Sequence, residues 1–214
     1  VLSHWLFEHY ERDDRLLLLM AFRGCGKSTL VALYAAWRLT VNPTLRILLM
    51  SADDPLAERL TRNIRRIIER HPACTDILPQ HPDEWAANRF TVNRRSDMRD
   101  PSVVAAGITG NITGMRADLI ICDDVEVPNT SDSADKRADL RDRLHELSFV
   151  ATPEATTIYV GTPHTFDTIY CESQRTDIPD HAPFLNGAVP LRLPIFDANG
   201  QSQWPERFNL EKIE

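Results

Sequence analysis

The sequence predicts an α/β fold in which a mostly parallel central sheet is flanked by helices. Two observations predict it: continuously apolar runs recur along the chain, and helical patterns alternate with them. Such apolar runs are typical of strands that are buried on both faces of a parallel sheet. The 214 residues are 43% hydrophobic, which is enough for one domain with a sizeable core. No apolar run approaches the ~20 residues that a membrane-spanning helix needs.

Four elements are predicted in the first third of the chain. Two are strands, because each is a short unbroken run of Leu, Ile and Met. Two are helices, and the second has an apolar stripe and begins at a capping Asp53 or Asp54. In chain order they are a strand at 15–21, a helix at 28–39, a strand at 46–51 and a helix from residue 53 or 54 to about 70.

The rest of the chain alternates in the same way after a loop rich in Pro and His, residues 71–88. Proline becomes frequent after about residue 176. We therefore predict a core at 1–176, and at 177–214 the end of the same domain and the start of a linker. The predicted elements are short strands at 89–93 and 102–106, a strand at 118–122, a charged helix at 132–150, and strands at 156–160 and 189–193.

Charge and cysteine content exclude two further classes of protein. The net charge of −7 argues against a uniformly basic nucleic-acid coat, although it leaves room for a local basic track. The N-terminus has neither an initiator Met nor a secretory signal, so we expect a fragment of a longer chain. Four cysteines without regular spacing do not form a disulfide framework and suit a reducing cytosol: Cys25, Cys74, Cys122 and Cys171.

The sharpest local signal is a Gly-rich segment between the first predicted strand and the first predicted helix. A phosphate loop needs small residues, so that backbone N–H groups surround the phosphates, and a helix N-terminus, a Lys and a hydroxyl for Mg²⁺. Ala21 replaces the first Gly of the usual pattern, and an ordinary glycine turn is the alternative interpretation. We predict a site for ATP and Mg²⁺ with these contact residues: Arg23, Gly24, Cys25, Gly26, Lys27, Ser28 and Thr29.

The second signal is the acidic pair Asp123-Asp124 at the end of an apolar strand. In P-loop enzymes an Asp at this place holds Mg²⁺, and a following acidic residue orients and deprotonates the attacking water. We assign Asp123 and Ser28 to the metal and Asp124 to the water. Glu126 is the reserve for the water, because Asp is one methylene shorter than Glu. The alternative interpretation is an acidic loop or a helix cap.

About a hundred residues and at least one strand separate the two motifs, which favours the additional-strand (ASCE, RecA-like) class of P-loop ATPases. No Asn-Lys-x-Asp occurs, so a guanine-specific GTPase is not expected. Thr162 follows the strand at 156–160, and open α/β sheets bind ligands at such strand ends. Thr162 is therefore a candidate sensor of the γ-phosphate, with a plain Gly-Thr-Pro turn as the alternative.

Several arginines and aromatic residues have both a functional and a plain structural interpretation. Arg23 or Arg116 is a candidate for neutralising charge on the transferred phosphoryl group, unless a second subunit supplies that arginine. Trp5, Phe7 and Tyr10 are candidates for adenine stacking or for core packing. Two basic clusters are either DNA contacts or solvated faces: Arg59, Arg62, Arg65, Arg66 and Arg70, and Arg94, Arg95 and Arg99.

Together these motifs resemble phage terminase large subunits, in particular the DNA maturase type of short-tailed phages. The resemblance covers roughly residues 16–163. It rests on the phosphate loop with its Arg23 and on the segment 112–126, which ends in Asp-Asp-Val-Glu. Residues 159–163 are similar to the family's coupling motif, and residues 204–208 look like the start of an inter-domain linker. Asp124 stands where many relatives have Glu.

The resemblance implies an ATPase that drives double-stranded DNA into a procapsid. It implies a ring of subunits, usually five, on the portal, together with a small terminase subunit, in the host cytoplasm. A nuclease domain is expected outside this chain. Two alternatives remain open: a helicase or recombinase-like ATPase of the same class, and an ATP-responsive assembly module with little turnover.

Overall fold

The computed structural model describes residues 1–79, 85–95, 98–165, 167–171 and 183–208. Its strands are β1 (Leu16–Ala21), β2 (Ile47–Ser51), β3 (Arg89–Phe90), β4 (Val103–Gly107), β5 (Ala117–Asp123), β6 (Ala151–Gly161) and β7 (Val189–Leu193). Its α-helices are α1 (Leu2–Glu11), α2 (Lys27–Val41), α3 (Asp54–Arg70), α4 (Pro128–Ser131), α5 (Ala134–His145) and α6 (Leu147–Val150). A 3₁₀ helix, Pro72–Ile77, follows α3.

The strands form one sheet in the order β3-β4-β2-β5-β6-β1-β7. Every neighbouring pair is parallel except β3 and β4. Strand β6 lies between β1 and β5, which is the additional strand that the spacing of the two motifs predicts. Because parallel strands end at the same edge, the carboxyl ends of β1, β5 and β6 meet there.

Two apolar clusters cover the two faces of the sheet. Successive side chains of a strand point to opposite faces, so β1 supplies Leu17 and Leu19 to one cluster and Leu18 and Met20 to the other. The first cluster includes residues of α1, α2 and α3, and the second includes residues of α5 and α6. The predicted α/β sandwich is confirmed, and both faces of its central strands are covered.

The N-terminal helix α1 was not expected from the sequence. Its Trp5 is buried, while Phe7 and Tyr10 contact Trp37 of α2 with ring centroids 5.8 and 5.0 Å apart. These contacts attach α1 to α2, so the three aromatic residues serve helix packing.

Three predicted elements have clearly different bounds in the structure, and the first is the strand predicted at 89–93, of which only Arg89–Phe90 is a strand. The single helix predicted at 132–150 is wrong: Ser133 caps α5 through the Lys136 N–H, and the helix ends at His145 before α6 begins. Strand β6 starts five residues earlier than predicted. Pro153 lies where the register between β5 and β6 shifts, so its missing N–H breaks no regular ladder.

The proline-rich end of the chain contributes to the same sheet, because β7 pairs with β1. Residues 172–182 and 209–214 lie outside the described residues, so the predicted boundary at 176 stays a prediction. All four cysteines are free thiols. No helix in the described ranges is both long and apolar enough to cross a membrane.

Candidate functional site

The segment between β1 and α2 is a tight loop at the centre of the carboxyl edge. Gly24 and Gly26 have φ of +82° and +87°, a conformation that residues with a side chain rarely adopt. Gly26 is the N-cap of α2 and offers no side chain to the N–H groups of the first helical turn. Those groups and the positive end of the helix dipole form a binding site for an anion.

Lys27 joins this loop to the ends of two other strands. Its side chain is buried, and its Nζ lies 3.2 Å from Asp124 Oδ1 and donates to Thr162 Oγ1 at 3.2 Å. Thr162 in turn donates to the Ala21 carbonyl oxygen at 3.0 Å. The phosphate loop, the end of β5 and the end of β6 thus meet at one ammonium group.

Asp123 is a buried carboxylate that is not fully satisfied. It is 7% exposed, and its Oδ1 has no hydrogen-bond partner among the described residues. Burial and the neighbouring charge of Asp124 raise its pKa to about 6, although a hydrogen bond from Ser28 and the charge of Lys27 act in the opposite direction. A buried acceptor without a partner is costly unless a ligand or cation completes it.

The donor set around Asp123 fits Mg²⁺. A hard cation prefers oxygen ligands, and Asp123 stands beside the Ser28 hydroxyl at the phosphate loop. The described part of the chain contains no cluster of three or more His, Cys, Asp or Glu that would hold a metal by itself. Mg²⁺ usually keeps several waters and binds through one or two protein ligands plus substrate phosphates, so two protein oxygens are enough.

Asp124 differs from Asp123 in both exposure and backbone. Its side chain is 40% exposed, and its φ of +48° lies in the left-handed region. Its N–H donates to the Val160 carbonyl oxygen at 2.8 Å, which ties the turn to β6. The partly exposed carboxylate beside Lys27 is therefore accessible to a water molecule.

Glu126 is completely buried and bonded to the loop that follows β6. Its Oε1 accepts from the His164 N–H at 3.2 Å and from the Thr168 hydroxyl at 2.7 Å, and its Oε2 accepts from the Ile169 N–H at 2.8 Å. Both oxygens thus have partners within the protein. This arrangement favours a structural role for Glu126 and leaves Asp124 as the better placed carboxylate.

The two candidate arginines lie at different ends of the molecule. Arg23 is on the phosphate loop, and its Nη2 lies 3.3 Å from His164 Nε2. Arg116 precedes β5, whereas Asp123 ends it. At about 3.3 Å per residue, Arg116 and Asp123 are ~23 Å apart along the strand. This distance is beyond the reach of an arginine side chain. Arg116 donates to the Met115 carbonyl oxygen and does not reach the site of its own chain.

The remaining predicted contact residues lie on the loop and on the first turn of α2. The Cys25 thiol is half-buried, and Thr29 is exposed. Two contacts were not predicted, and the first is that Arg207 donates to the Gly24 carbonyl oxygen at 2.9 Å. His164 was also missed, because a lone His after a Gly-Thr-Pro turn carries no sequence pattern that indicates its contact with Arg23.

Comparison with known proteins supplies a relative. The chain is 36% identical, over 162 residues, to the "Terminase, large subunit" of Enterobacteria phage T3. The chain is therefore a relative of phage terminase large subunits. The match covers 75% of this chain and 28% of that relative, so this chain spans little more than a quarter of the relative's length. No protein-family model matches the chain.

The solved structures that are similar to this chain are more distant from it in sequence. A complex of Saccharomyces cerevisiae Dbp5 with ADP is 14% identical, with a TM-score of 0.50 over 86% of this chain and 44% of that one. It supports the fold alone. Also similar is the ATPase domain of a Thermus phage large terminase, which is 16% identical with a TM-score of 0.49 over 94% of this chain and 83% of that one. The N-terminal domain of the bacteriophage phi29 DNA packaging ATPase is 15% identical, with a TM-score of 0.46 over 72% of this chain and 76% of that one.

Proposed function

We propose that this chain is the ATPase motor domain of a DNA-packaging terminase, which hydrolyses ATP to move double-stranded DNA into a procapsid. The observation that carries the proposal is the position of Lys27 Nζ, 3.2 Å from both Asp124 and Thr162 and next to a buried carboxylate with an unpartnered oxygen. The sequence similarity to a phage terminase large subunit supports it.

In the proposed site, residues 24–28 hold the phosphates through backbone N–H groups and the Lys27 ammonium. Ser28 and Asp123 hold Mg²⁺, which supplies neutralising charge on the phosphate oxygens. Lys27 exchanges its contacts with Asp124 and Thr162 for contacts with phosphate oxygens. The Thr162 hydroxyl is then placed to respond to the γ-phosphate.

Asp124 is the proposed residue that orients the attacking water and accepts its proton. Its exposure and its place beside Lys27 support this assignment over Glu126, whose two oxygens accept three hydrogen bonds from residues 164, 168 and 169. Asp124→Asn is expected to lower turnover by about 10²–10⁴-fold while nucleotide binding persists.

Of the two candidate arginines, Arg23 is the one that lies on the phosphate loop of its own chain. A role for Arg116 requires a neighbouring subunit, because ~23 Å separate it from Asp123 in the same chain. Such a ring, its portal and procapsid, the small terminase subunit and the host cytoplasm belong to this proposal. Nuclease activity is expected from a part of the protein outside this chain.

The test is steady-state ATP hydrolysis with Mg²⁺ by the Lys27→Ala variant, with Lys136→Ala as a matched control. Lys136 lies on the exposed side of α5 and pairs with Asp132. We expect Lys27→Ala to abolish turnover and the control to retain it. Equal turnover in Lys27→Ala and the wild type would remove Lys27 from the site and contradict the proposal.

The dependence of turnover on protein concentration separates this function from an assembly module with little turnover. The distance of Arg116 from its own site favours catalysis that depends on assembly, and a steep rise with concentration is expected. A flat line near zero favours the module. Strand separation without a capsid would favour a helicase-like ATPase.

A further inference from the structure

The loop after β6 contacts three separate parts of the molecule. We call residues 162–165 and 167–169 the coupling loop. Its first part touches the phosphate loop, where Lys27 donates to Thr162 and Arg23 lies 3.3 Å from His164. Both contacts involve cations that face the proposed phosphate site. Phosphate binding that attracts Lys27 or Arg23 therefore changes what holds this end of the coupling loop.

The middle of the coupling loop is attached to the chain that follows β5. Glu126 accepts hydrogen bonds from His164, Thr168 and Ile169, and it is fully buried. A buried carboxylate with three donors is a strong, inflexible attachment, because losing a donor leaves a charged acceptor unsatisfied in the interior. Any movement of the coupling loop therefore requires the segment after Asp124 to move with it.

The third contact is with helix α5. Arg137 Nε lies 3.0 Å from Asp167 Oδ2, and Arg141 Nη2 lies 3.2 Å from Asp167 Oδ1. All three side chains are 18% exposed, so water screens these pairs less than it screens the surface pairs of the molecule. Burial acts to raise the pKa of Asp167, but the two arginines outweigh it and lower that pKa.

Helix α5 has few other attachments to the sheet. Leu140 and Leu144 are its buried residues, and with Arg137 and Arg141 they form one stripe at helical spacing. The helix is bounded by Ser133 at one end and by the break at Glu146 at the other. An element with a narrow buried stripe and a break at each end is suited to move as a unit.

We propose that Asp167, through its paired contacts with Arg137 and Arg141, transmits nucleotide occupancy from the coupling loop to helix α5. Asp167 is proposed as a positioning residue, which acts through Arg137 and Arg141. The inference rests on the proposed ATPase function and adds the element that the site drives. Contacts at 162 and 164 sense the phosphates, Glu126 keeps the loop intact, and the two arginines carry its displacement into the helix.

Hydrogen exchange of the wild-type chain, with and without a non-hydrolysable ATP analogue and Mg²⁺, tests the inference. Two segments are followed in the same sample: residues 22–30, which report nucleotide binding, and residues 134–145, which report α5. We expect exchange to change in both segments, in α5 by about fivefold or more, the lower end of ordinary coupling between two sites. The same comparison is made for Asp167→Asn and for the control Asp142→Asn on the exposed side of α5.

In Asp167→Asn we expect the response of residues 22–30 to persist and the response of α5 to disappear. In Asp142→Asn both responses persist, and in Asp167→Glu, which keeps the charge, part of the α5 response returns. A purely structural ion pair would instead give an α5 that exchanges faster in both states and still responds to nucleotide. That result, or no response of α5 in the wild type, overturns the inference. No response at residues 22–30 in the wild type would overturn the proposed function itself.

Discussion

Strand β5 carries an aspartate near each end, and the two have opposite surroundings. Asp118 accepts from the Arg46 guanidinium at 2.8 and 2.9 Å, from the Arg46 N–H at 3.0 Å and from the Thr152 hydroxyl at 3.1 Å. Asp123, five residues later, is more deeply buried and keeps one oxygen without a partner in the described structure. The same side chain on the same strand is therefore fully paired at one edge and incompletely paired at the other.

The pKa values record this difference. Burial acts to raise the pKa of Asp118, but its hydrogen bonds from Arg46 outweigh burial and lower that pKa. Burial raises the pKa of Asp123 to about 6, and the charge of Asp124 adds to the effect. A carboxylate whose oxygens all have hydrogen-bond partners stabilises the fold. A buried carboxylate with a raised pKa and an oxygen without a partner is suited to bind a ligand.

The largest expected effect is the loss of turnover in Asp123→Asn. Replacing the carboxylate of this proposed metal ligand by a neutral amide should remove several kcal/mol of charge stabilisation, so we expect ATP hydrolysis to fall by about 10³-fold, equivalent to about 4 kcal/mol. Asp118→Asn is the matched control, because Asp118 lies at the other end of the strand. Similar losses of turnover in both variants would contradict the contrast between the two edges.

The pH dependence of stability should separate the two aspartates next. Because folding raises the pKa of Asp123, its contribution to stability is complete below about pH 4 and is lost as the pH rises through about 6. Two pKa units correspond to about 3 kcal/mol. In metal-free protein, urea unfolding should find Asp123→Asn more stable than the wild type at pH 8 and equal to it near pH 4. A constant difference across this range would be inconsistent with the raised pKa.

Asp118→Asn should show the opposite dependence. Because folding lowers the pKa of Asp118, its contribution is present above the unfolded value of 3.8 and is lost as the pH falls through the lowered folded value. At neutral pH the variant should be destabilised by about 2 kcal/mol, between the values of exposed and buried ion pairs. Thermal or urea unfolding at neutral and acidic pH measures it, and a destabilisation that persists in acid would refute the assignment.

The smallest expected effect is that of Thr152→Val. The substitution keeps the β-branched shape and removes the hydroxyl that donates to Asp118, so it should cost about 0.5–1 kcal/mol of the free energy of unfolding. In an Asp118→Asn background the cost should shrink, since the acceptor is then neutral. A double-mutant cycle by urea unfolding measures this coupling, and strict additivity would show that the bond does not depend on the charge of Asp118.

The strands were predictable from the sequence because burial on both faces leaves unbroken apolar runs, as in β1, β2 and β5. The break between α5 and α6 was not, because charged residues continue across it and no Gly or Pro marks the end of the helix. Helix α1 was missed although Trp5, Leu6 and His9 lie on one face, because this stripe is short, includes a polar His and has no side-chain cap before it.

At the candidate site, local motifs placed the loop and the acidic pair, but contacts across the sheet were invisible to them. The sequence cannot reveal that Glu126 bonds to the coupling loop or that Arg207 contacts Gly24, since 183 positions separate the latter two. The sequence at Gly161 indicates only a Gly-Thr-Pro turn, as one alternative, yet the Tyr170 ring occupies the space that a side chain there would need. Such constraints arise from packing between distant segments, which no short motif encodes.

The left-handed backbone conformation at position 124 favours only a few types of amino acid. Aspartate and asparagine adopt this conformation several-fold more readily than most residues with a side chain. A glutamate side chain is one methylene longer, but glutamate adopts this left-handed backbone conformation less readily than aspartate. The main-chain geometry at position 124 therefore favours the shorter acid.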